Sequence, residues 1–163
     1  MPVLDENDCC FERDGRRFRY RVGAIIVEDG HVLLARNDMD DYYYSVGGGV
    51  HLGETAEDAV RREVREETGV DYEIERLAVV HENFFDNDSG LLRGLVCHEL
   101  ALFYLMKSRG RRDCDAYNFT EVGKEYMEWL PIDRLSEHKV FPSFLGEYLA
   151  AMPEEIKHIV ERD

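Results

Sequence analysis

The chain has 163 residues, of which 44% are hydrophobic and 34% charged; such a composition supports one buried core and excludes a disordered or fibrous chain. Asp and Glu total 35 against 20 Lys and Arg, a formal net charge of −15, so the long-range field repels a nucleic-acid backbone and no nucleic-acid partner is expected. The longest apolar runs, such as Gly23–Val27 and Leu100–Met106, are too short to cross a bilayer, so no membrane partner is expected either.

Met1–Asp8 is acidic and does not read as a basic-then-apolar leader. Cys9, Cys10, Cys97 and Cys114 show neither metal spacing nor a disulfide framework. Both observations lead to a cytoplasmic expectation. No repeat or linker interrupts the chain, so residues 1–163 are expected to form a single domain, as a monomer or homodimer.

Arg17–Val27 reads as a strand, and Asp29-Gly30 is a turn signal into a second strand, His31–Arg36. Tyr42–Val46 is a short aromatic strand that runs into Gly47-Gly48-Gly49. Thr55–Thr68 is a strongly charged helix, with Thr55 as N-cap, Asp58 three residues on, and Gly69 where the helix stops. Glu73–Phe85 and His98–Met106 read as strands separated by a turn-rich loop around Asn87–Gly90. Lys107–Gly123 has little periodicity and carries Arg109, Arg111 and Arg112, which predicts a mobile loop; Glu125–Leu130 is expected to be the last strand. Phe141, Phe144, Leu145, Tyr148 and Leu149 fall at i, i+3, i+4, i+7 and i+8, the stripe of a helix packed on one face. Pro153 is expected to open a further short helix, with Glu154 and Glu155 in its first turn and Arg162 near its end. Strands with interspersed helices make an α/β (α+β) layered domain.

The chemistry concentrates in Gly48–Val70. Ala56, Val60 and Val64 form the stripe that packs on the sheet, which leaves Glu63, Glu66 and Glu67 together on a neighbouring face within one turn. Arg62 stands next to Glu63 and four residues before Glu66, where a guanidinium can brace a carboxylate. Clustered carboxylates repel by roughly 0.2–0.5 kcal/mol per i, i+4 pair in water. Either this is a solvated acidic face, or the oxygens collect a hard divalent cation; the chemistry favours the cation. The glycines at 47–49 and 53 let the backbone come close to a ligand or metal.

This segment resembles the Nudix box, G-x5-E-x7-R-E-U-x-E-E-x-G-U with U a bulky aliphatic residue. Gly48, Glu54, Arg62, Glu63, Val64, Glu66, Glu67, Gly69 and Val70 fill all nine specified positions at the required spacing. The strand Tyr20–Val27, the run His81–Phe85 and Trp129-Leu130-Pro131 also look like family features. The resemblance implies the Nudix fold, a mixed β-sheet sandwiched between helices, and hydrolysis of a nucleoside diphosphate linked to another group X. It implies Mg²⁺ (or Mn²⁺) held by Glu66 and Glu67, with Glu63 as a ligand or the base that activates water. Arg62 would hold Glu63, while Gly48, Glu54 and Gly69 support the loop. One more acid from outside the box is often recruited, and Glu82, Glu121 and Glu125 are the candidates. One departure is Val46 before Gly47-Gly48 where the family commonly has proline.

The partner implied is a small nucleotide-type substrate. The proline and tyrosine markers that subfamilies carry downstream of the box are missing around Phe85–Asp88, so they name no substrate. Arg19 and Arg21 share one strand face and could meet a substrate phosphate or base, or simply guard a strand edge. Tyr42, Tyr43, Tyr44, Phe84 and Phe85 offer either a stacking wall or core packing. His51 in the box loop and His81 beside Glu82 are the histidines nearest this chemistry. The alternative to hydrolysis is a Nudix-like sensor that binds a nucleotide metabolite without cleaving it, and such proteins usually carry a damaged box.

Overall fold

Two Asp-Gly pairs set the first hairpins. Asp14 and Gly15 both take positive φ (52° and 76°), and so do Asp29 and Gly30 (48° and 72°), the backbone that a two-residue hairpin turn requires. The first joins β1 (Cys10–Arg13) to β2 (Arg16–Ile25), and the second joins β3 (Val27–Glu28) to β4 (His31–Asn37). The computed structural model describes residues 7–87, 93–114, 117–120 and 123–162, and their side chains except at 117–120 and 123. The chain continues through β5 (Tyr43–Gly49), α1 (Ala56–Thr68), β6 (Ile74–Asp86), β7 (Val96–Met106), β8 (Tyr117–Thr120) and β9 (Gly123–Pro131). After a 3-10 turn at Ile132–Glu137 come β10 (Val140–Phe141), α2 (Leu145–Ala151) and β11 (Lys157–Arg162).

The main strand order is β11-β6-β7-β2-β5-β4-β9-β8. The sheet is mixed: β2 runs parallel to β7 and β11 parallel to β6, whereas β2–β5, β4–β9 and β6–β7 are antiparallel. Alternation along β2 sends Val22 and Ala24 to one core and Ile25 to the other. The first core lies under α1, where Ala59, Val60 and Val64 are fully buried. Burying each of those valines is worth about 1.5–3 kcal/mol, which fixes the rotation of the helix and therefore the direction of its acidic face. The second core holds Leu145, Tyr148 and Leu149 of α2 against Val79, Ala101 and Phe103. Helices cover both faces of a mixed sheet, as expected.

Four expectations change. β2 lies between β7 and β5, so its arginines do not guard a strand edge. Pro153 opens no helix; residues 157–162 form β11, with Ile159 paired to His81 on β6. Phe141 belongs to β10, paired with Tyr44, and the C-terminal helix begins only after Pro142. The stretch after β7 is tethered: buried Glu28 accepts hydrogen bonds from Ser108 Oγ (2.7 Å), Arg109 N (2.6 Å) and Gly110 N (2.9 Å), and Tyr117–Thr120 forms β8. Of the predicted loop at Asn87–Gly90, residues 88–90 lie outside the described residues.

Candidate active site

The site begins where two strands part. β4 pairs with β5 only at Ser45 and Tyr44, while β2 pairs with β5 from Val46 to Gly49. Beyond Ser45 the side of β5 that faces away from β2 is therefore open to another partner, and α1 supplies it. The Gly47 N–H donates to Glu67 Oε2 at 3.2 Å. One residue on, the Glu63 carboxylate lies directly over Gly48, where an added Cβ would come within 2.5 Å of it. Only glycine leaves room for that carboxylate.

Thr55 starts α1 by accepting a hydrogen bond from Asp58 N at 3.1 Å, and Gly69 ends it with φ 73°. Between these caps Arg62 binds the box loop to the helix. Its Nε and Nη2 grip both oxygens of Glu54 at 2.9 and 3.0 Å, and Nη2 also donates to Gly49 O at 3.0 Å. Nη1 donates to Glu63 Oε1 at 2.8 Å and reaches Glu66 Oε2 at 3.4 Å. The His51 N–H donates to Glu54 Oε1 at 3.1 Å. These bonds pull the Glu54 carboxyl down to about 2, with its bond to Arg62 as the largest cause. Burial raises the Glu63 carboxyl, and Arg62 opposes that rise.

One turn further along α1 the balance reverses. Glu67 is pushed well above its ordinary value, first by burial and then by the charges of Glu125 and Glu63; the Gly47 N–H and Arg21 oppose. Glu125 comes from β9, opposite Asn37 of β4, and is itself buried. It accepts a hydrogen bond from the Tyr44 hydroxyl, which burial and this carboxylate together hold protonated far above the usual range. By sequence Tyr44 belongs with its aromatic neighbours; its role as donor to Glu125 follows from the third dimension, because β5 and β9 are separated by β4.

Of the two described candidate acids from outside the box, Glu125 is the one placed beside the helix carboxylates. Glu82 lies on β6 and binds His158 Nε2 of β11 at 2.7 Å, with β7 and β2 between it and β5. Glu121 lies outside the described residues. Arg21, opposite Gly49, contacts Glu99 at 3.7 Å. His51 stands 3.6 Å from Asp8, whereas His81 is buried against Phe103 and Phe144 with Glu161 at 3.4 Å. Phe84 stacks on His98 and carries Arg162 over its ring.

A hard divalent cation fits this donor set. The available groups are carboxylate oxygens, the backbone is bare at Gly48, and the like charges of Glu67 and Glu125 act on each other, so that Glu125 helps raise the Glu67 carboxyl. As the side chains stand, no three His, Cys, Asp or Glu among the described residues converge to close on an ion. Glu63 and Glu66 are turned onto Arg62 instead.

Residues 17–152 match the family model described as the NUDIX domain. A MutT-like protein of Streptomyces ambofaciens is 33% identical over 115 residues, 71% of this chain and 64% of that protein. An RNA pyrophosphohydrolase of Acinetobacter baylyi is 43% identical over 58 residues, 35% of each chain. The chain thus spans just under two thirds of the first relative and about a third of the second. Among solved structures, the mutator MutT protein from Bacillus halodurans superposes with a TM-score of 0.65 at 16% identity, over 88% of this chain and 90% of that one. At that identity the likeness speaks for the fold alone.

Proposed function

From the premise that this chain belongs to the Nudix hydrolase family, we propose that it hydrolyses a pyrophosphate bond in a nucleoside diphosphate linked to another moiety, with Mg²⁺ or Mn²⁺ as cofactor. The observation that carries this reading is the division of labour on α1. Arg62 neutralises Glu54 and braces Glu63, while the Glu67 carboxylate lies near enough to Glu125 for the two like charges to raise its pKa. Glu66 and Glu67, with Glu125 across from them, would hold the metal, and Glu63 would serve either as a further ligand or as the base. When bound, it supplies positive charge against the phosphate oxygens and acidifies water.

The remaining roles belong to the chain's own side chains. Arg62 occupies Oε1 of Glu63, which leaves Oε2 to accept a proton from the attacking water. Water adds to phosphorus, the anhydride P–O bond breaks, and the leaving phosphate departs with the bonding pair. The Tyr44 hydroxyl holds Glu125 in place, and the bonds from Arg62 to Glu54 and Gly49 O fix the loop beneath the reacting groups.

A small nucleotide in a cytoplasmic setting suits the −15 net charge and the four free cysteines better than a long RNA does. The name of the Acinetobacter relative raises RNA 5′ ends as a competing substrate, on a match of 58 residues. The test is a screen of nucleoside di- and triphosphate derivatives and a 5′-triphosphorylated oligonucleotide, with Mg²⁺ or Mn²⁺. It detects released phosphate or nucleoside monophosphate. Turnover of a small substrate supports the reading; binding without turnover across the screen would replace it with the sensor alternative.

A further inference from the structure

Arg17, Arg19 and Arg21 alternate along β2 and so share one face of an interior strand. Two-residue steps place their Cα atoms about 7 Å apart, a row about 13 Å long. Arg21 stands opposite Gly49 at the box loop, and the row leads away from there. Burial deepens in the same direction. The side chains of Arg21 and Arg19 keep 31% and 24% of their exposure, and Arg17 as a residue keeps 9%.

The row is under-neutralised. Arg21 has Glu99 at 3.7 Å and Arg19 has Asp8 at 3.8 Å, both beyond hydrogen-bond range. Arg17 has no hydrogen bond or ion pair from its side chain among the described residues, and the Nε atoms of all three are buried without a partner. The facing residues are Cys10 and Glu12 on β1, opposite Arg19 and Arg17, and on the other side Cys97, Glu99 and Ala101 on β7, then Phe85, Asn83 and His81 on β6, with Glu161 beside His81. Three carboxylates, Asp8, Glu12 and Glu99, thus lie along the row, but Asp8 and Glu99 stay at 3.8 and 3.7 Å, the exposed Glu12 makes no ion pair with Arg17 among the described residues, and His81 already has Glu161. A guanidinium buried without an anion is costly, because desolvation is uncompensated. Five N–H donors in a fixed fork suit phosphate oxygens.

We propose that this face of β2 binds a second anionic group of the substrate, so that the preferred substrate carries a phosphomonoester in addition to the pyrophosphate. That phosphate would sit between Arg19 and Arg17, about 7–13 Å along the row from Arg21. The inference rests on the hydrolase reading only in taking the pyrophosphate to lie at the box; it concerns binding and needs no turnover. Asp8, whose carboxylate lies over Gly49, is the internal anion that the substrate would displace from Arg19.

The test uses matched pairs that differ by one phosphomonoester: coenzyme A against dephospho-coenzyme A, and NADP⁺ against NAD⁺. Affinities are measured by calorimetry on the whole protein in EDTA, where hydrolysis cannot contribute. Wild type should bind the phosphorylated member of at least one pair about tenfold more tightly, a discrimination of about 1.4 kcal/mol. Arg17→Gln should collapse that ratio to below about threefold, and Arg17→Lys should restore part of it because charge is kept and the fork is lost. Arg19→Gln, at a more exposed position, supplies the same reading if Arg17→Gln does not fold. Equal affinity within both pairs, no binding of any member, or discrimination that survives Arg17→Gln and Arg19→Gln would overturn the proposal. So would tighter binding of a 5′-triphosphorylated oligonucleotide than of any member of the pairs. No hydrolysis in Mg²⁺ combined with arginine-dependent discrimination would sink the catalytic reading and leave this one standing.

Discussion

The two ends of one acidic helix face differ in how their charge is managed. Around Arg62, every nearby carboxylate has an N–H partner: Glu54 has two guanidinium bonds and the His51 amide, and Glu63 has Nη1. Around Glu67, a half-buried acid feels the charge of the buried Glu125, and the Gly47 N–H and the charge of Arg21 oppose the resulting shift. The first arrangement is what a scaffold needs, since paired and hydrogen-bonded charges hold a loop in one geometry. The second keeps two like charges close together, which a bound cation would relieve. Acidic residues clustered on one helix are thus not one feature but two, and the contrast between them can be broken experimentally.

The largest expected effect is on turnover. Glu63→Gln keeps the shape that fits over Gly48 and removes the proton acceptor, so kcat/KM for the best substrate should fall by about 10²–10⁴-fold. Glu54→Gln should cost much less, because Glu54 is bound on both oxygens by Arg62 and serves the loop. Steady-state kinetics with Mg²⁺ on both variants decides the matter; similar losses for the two would erase the distinction between the ends.

Next in size is Arg62→Ala. It strands Glu54 and Glu63, each with a mostly buried side chain, and also releases Gly49 O. Breaking a buried pair by removing one partner costs about 3–5 kcal/mol, and partial exposure puts the expectation at the lower end. At this chain length that is a loss of roughly 6–12 °C in melting temperature, read by calorimetry or circular dichroism. A loss below about 2 °C would show that the bonds around Arg62 contribute little.

The Arg62 end was legible in the sequence because its signals are local: a capping residue at each terminus, an aliphatic stripe at i+4 spacing, and acids at fixed offsets from one arginine. The Glu67 end was only half legible. Glu125 was one of three acids that sequence could not separate, since its approach to Glu67 depends on β9 pairing with β4 across 88 residues between Asn37 and Glu125 in the chain. The same limit explains the C-terminus. Glu154, Glu155 and Arg162 matched the charge preferences of a helix, yet residues 157–162 have alternating exposure and take their order from β6, a partner far upstream. Phe141 fitted a helical stripe by spacing, but Pro142 after it disfavours helical geometry at that residue. Glu28 gave no signal at all; a buried carboxylate with three donors from residues 108–110 is visible only once the strands are assembled.

A smaller effect tests the Glu67 end without a substrate. A cation that binds the folded site and not the unfolded chain stabilises by about 2.7 kcal/mol at a hundredfold excess over its Kd. Millimolar Mg²⁺ or Mn²⁺ should therefore raise the melting temperature of wild type by several degrees beyond sodium at equal ionic strength. The Glu66→Gln/Glu67→Gln double variant should lose most of that gain. An equal response in the two proteins would place the cation elsewhere.

The smallest effect is the most direct reading of the contrast, because the two ends should respond to pH with opposite sign. Glu67 is raised above its ordinary value of 4.5, so the folded chain holds this proton more tightly than the unfolded chain does. Its contribution to stability is therefore fully present below 4.5 and is lost as pH rises through the folded value. Glu54 is held down to about 2 by Arg62, so its contribution is present above 4.5 and is lost as pH falls toward 2. In EDTA, Glu67→Gln should melt with wild type near pH 4.5 and about 2–4 °C above it at neutrality, the scale of roughly 1 kcal/mol at this length. Gln keeps an oxygen for the Gly47 N–H, so that gain reports the removed charge. Glu54→Gln should melt below wild type at neutrality and converge with it under acid. Adding Mg²⁺ at neutral pH should reverse the order of wild type and Glu67→Gln, because the cation supplies the partner that the substitution makes unnecessary. A Glu67→Gln difference that is flat with pH, or that has the same sign as Glu54→Gln, would show that both ends of the face are equally neutralised.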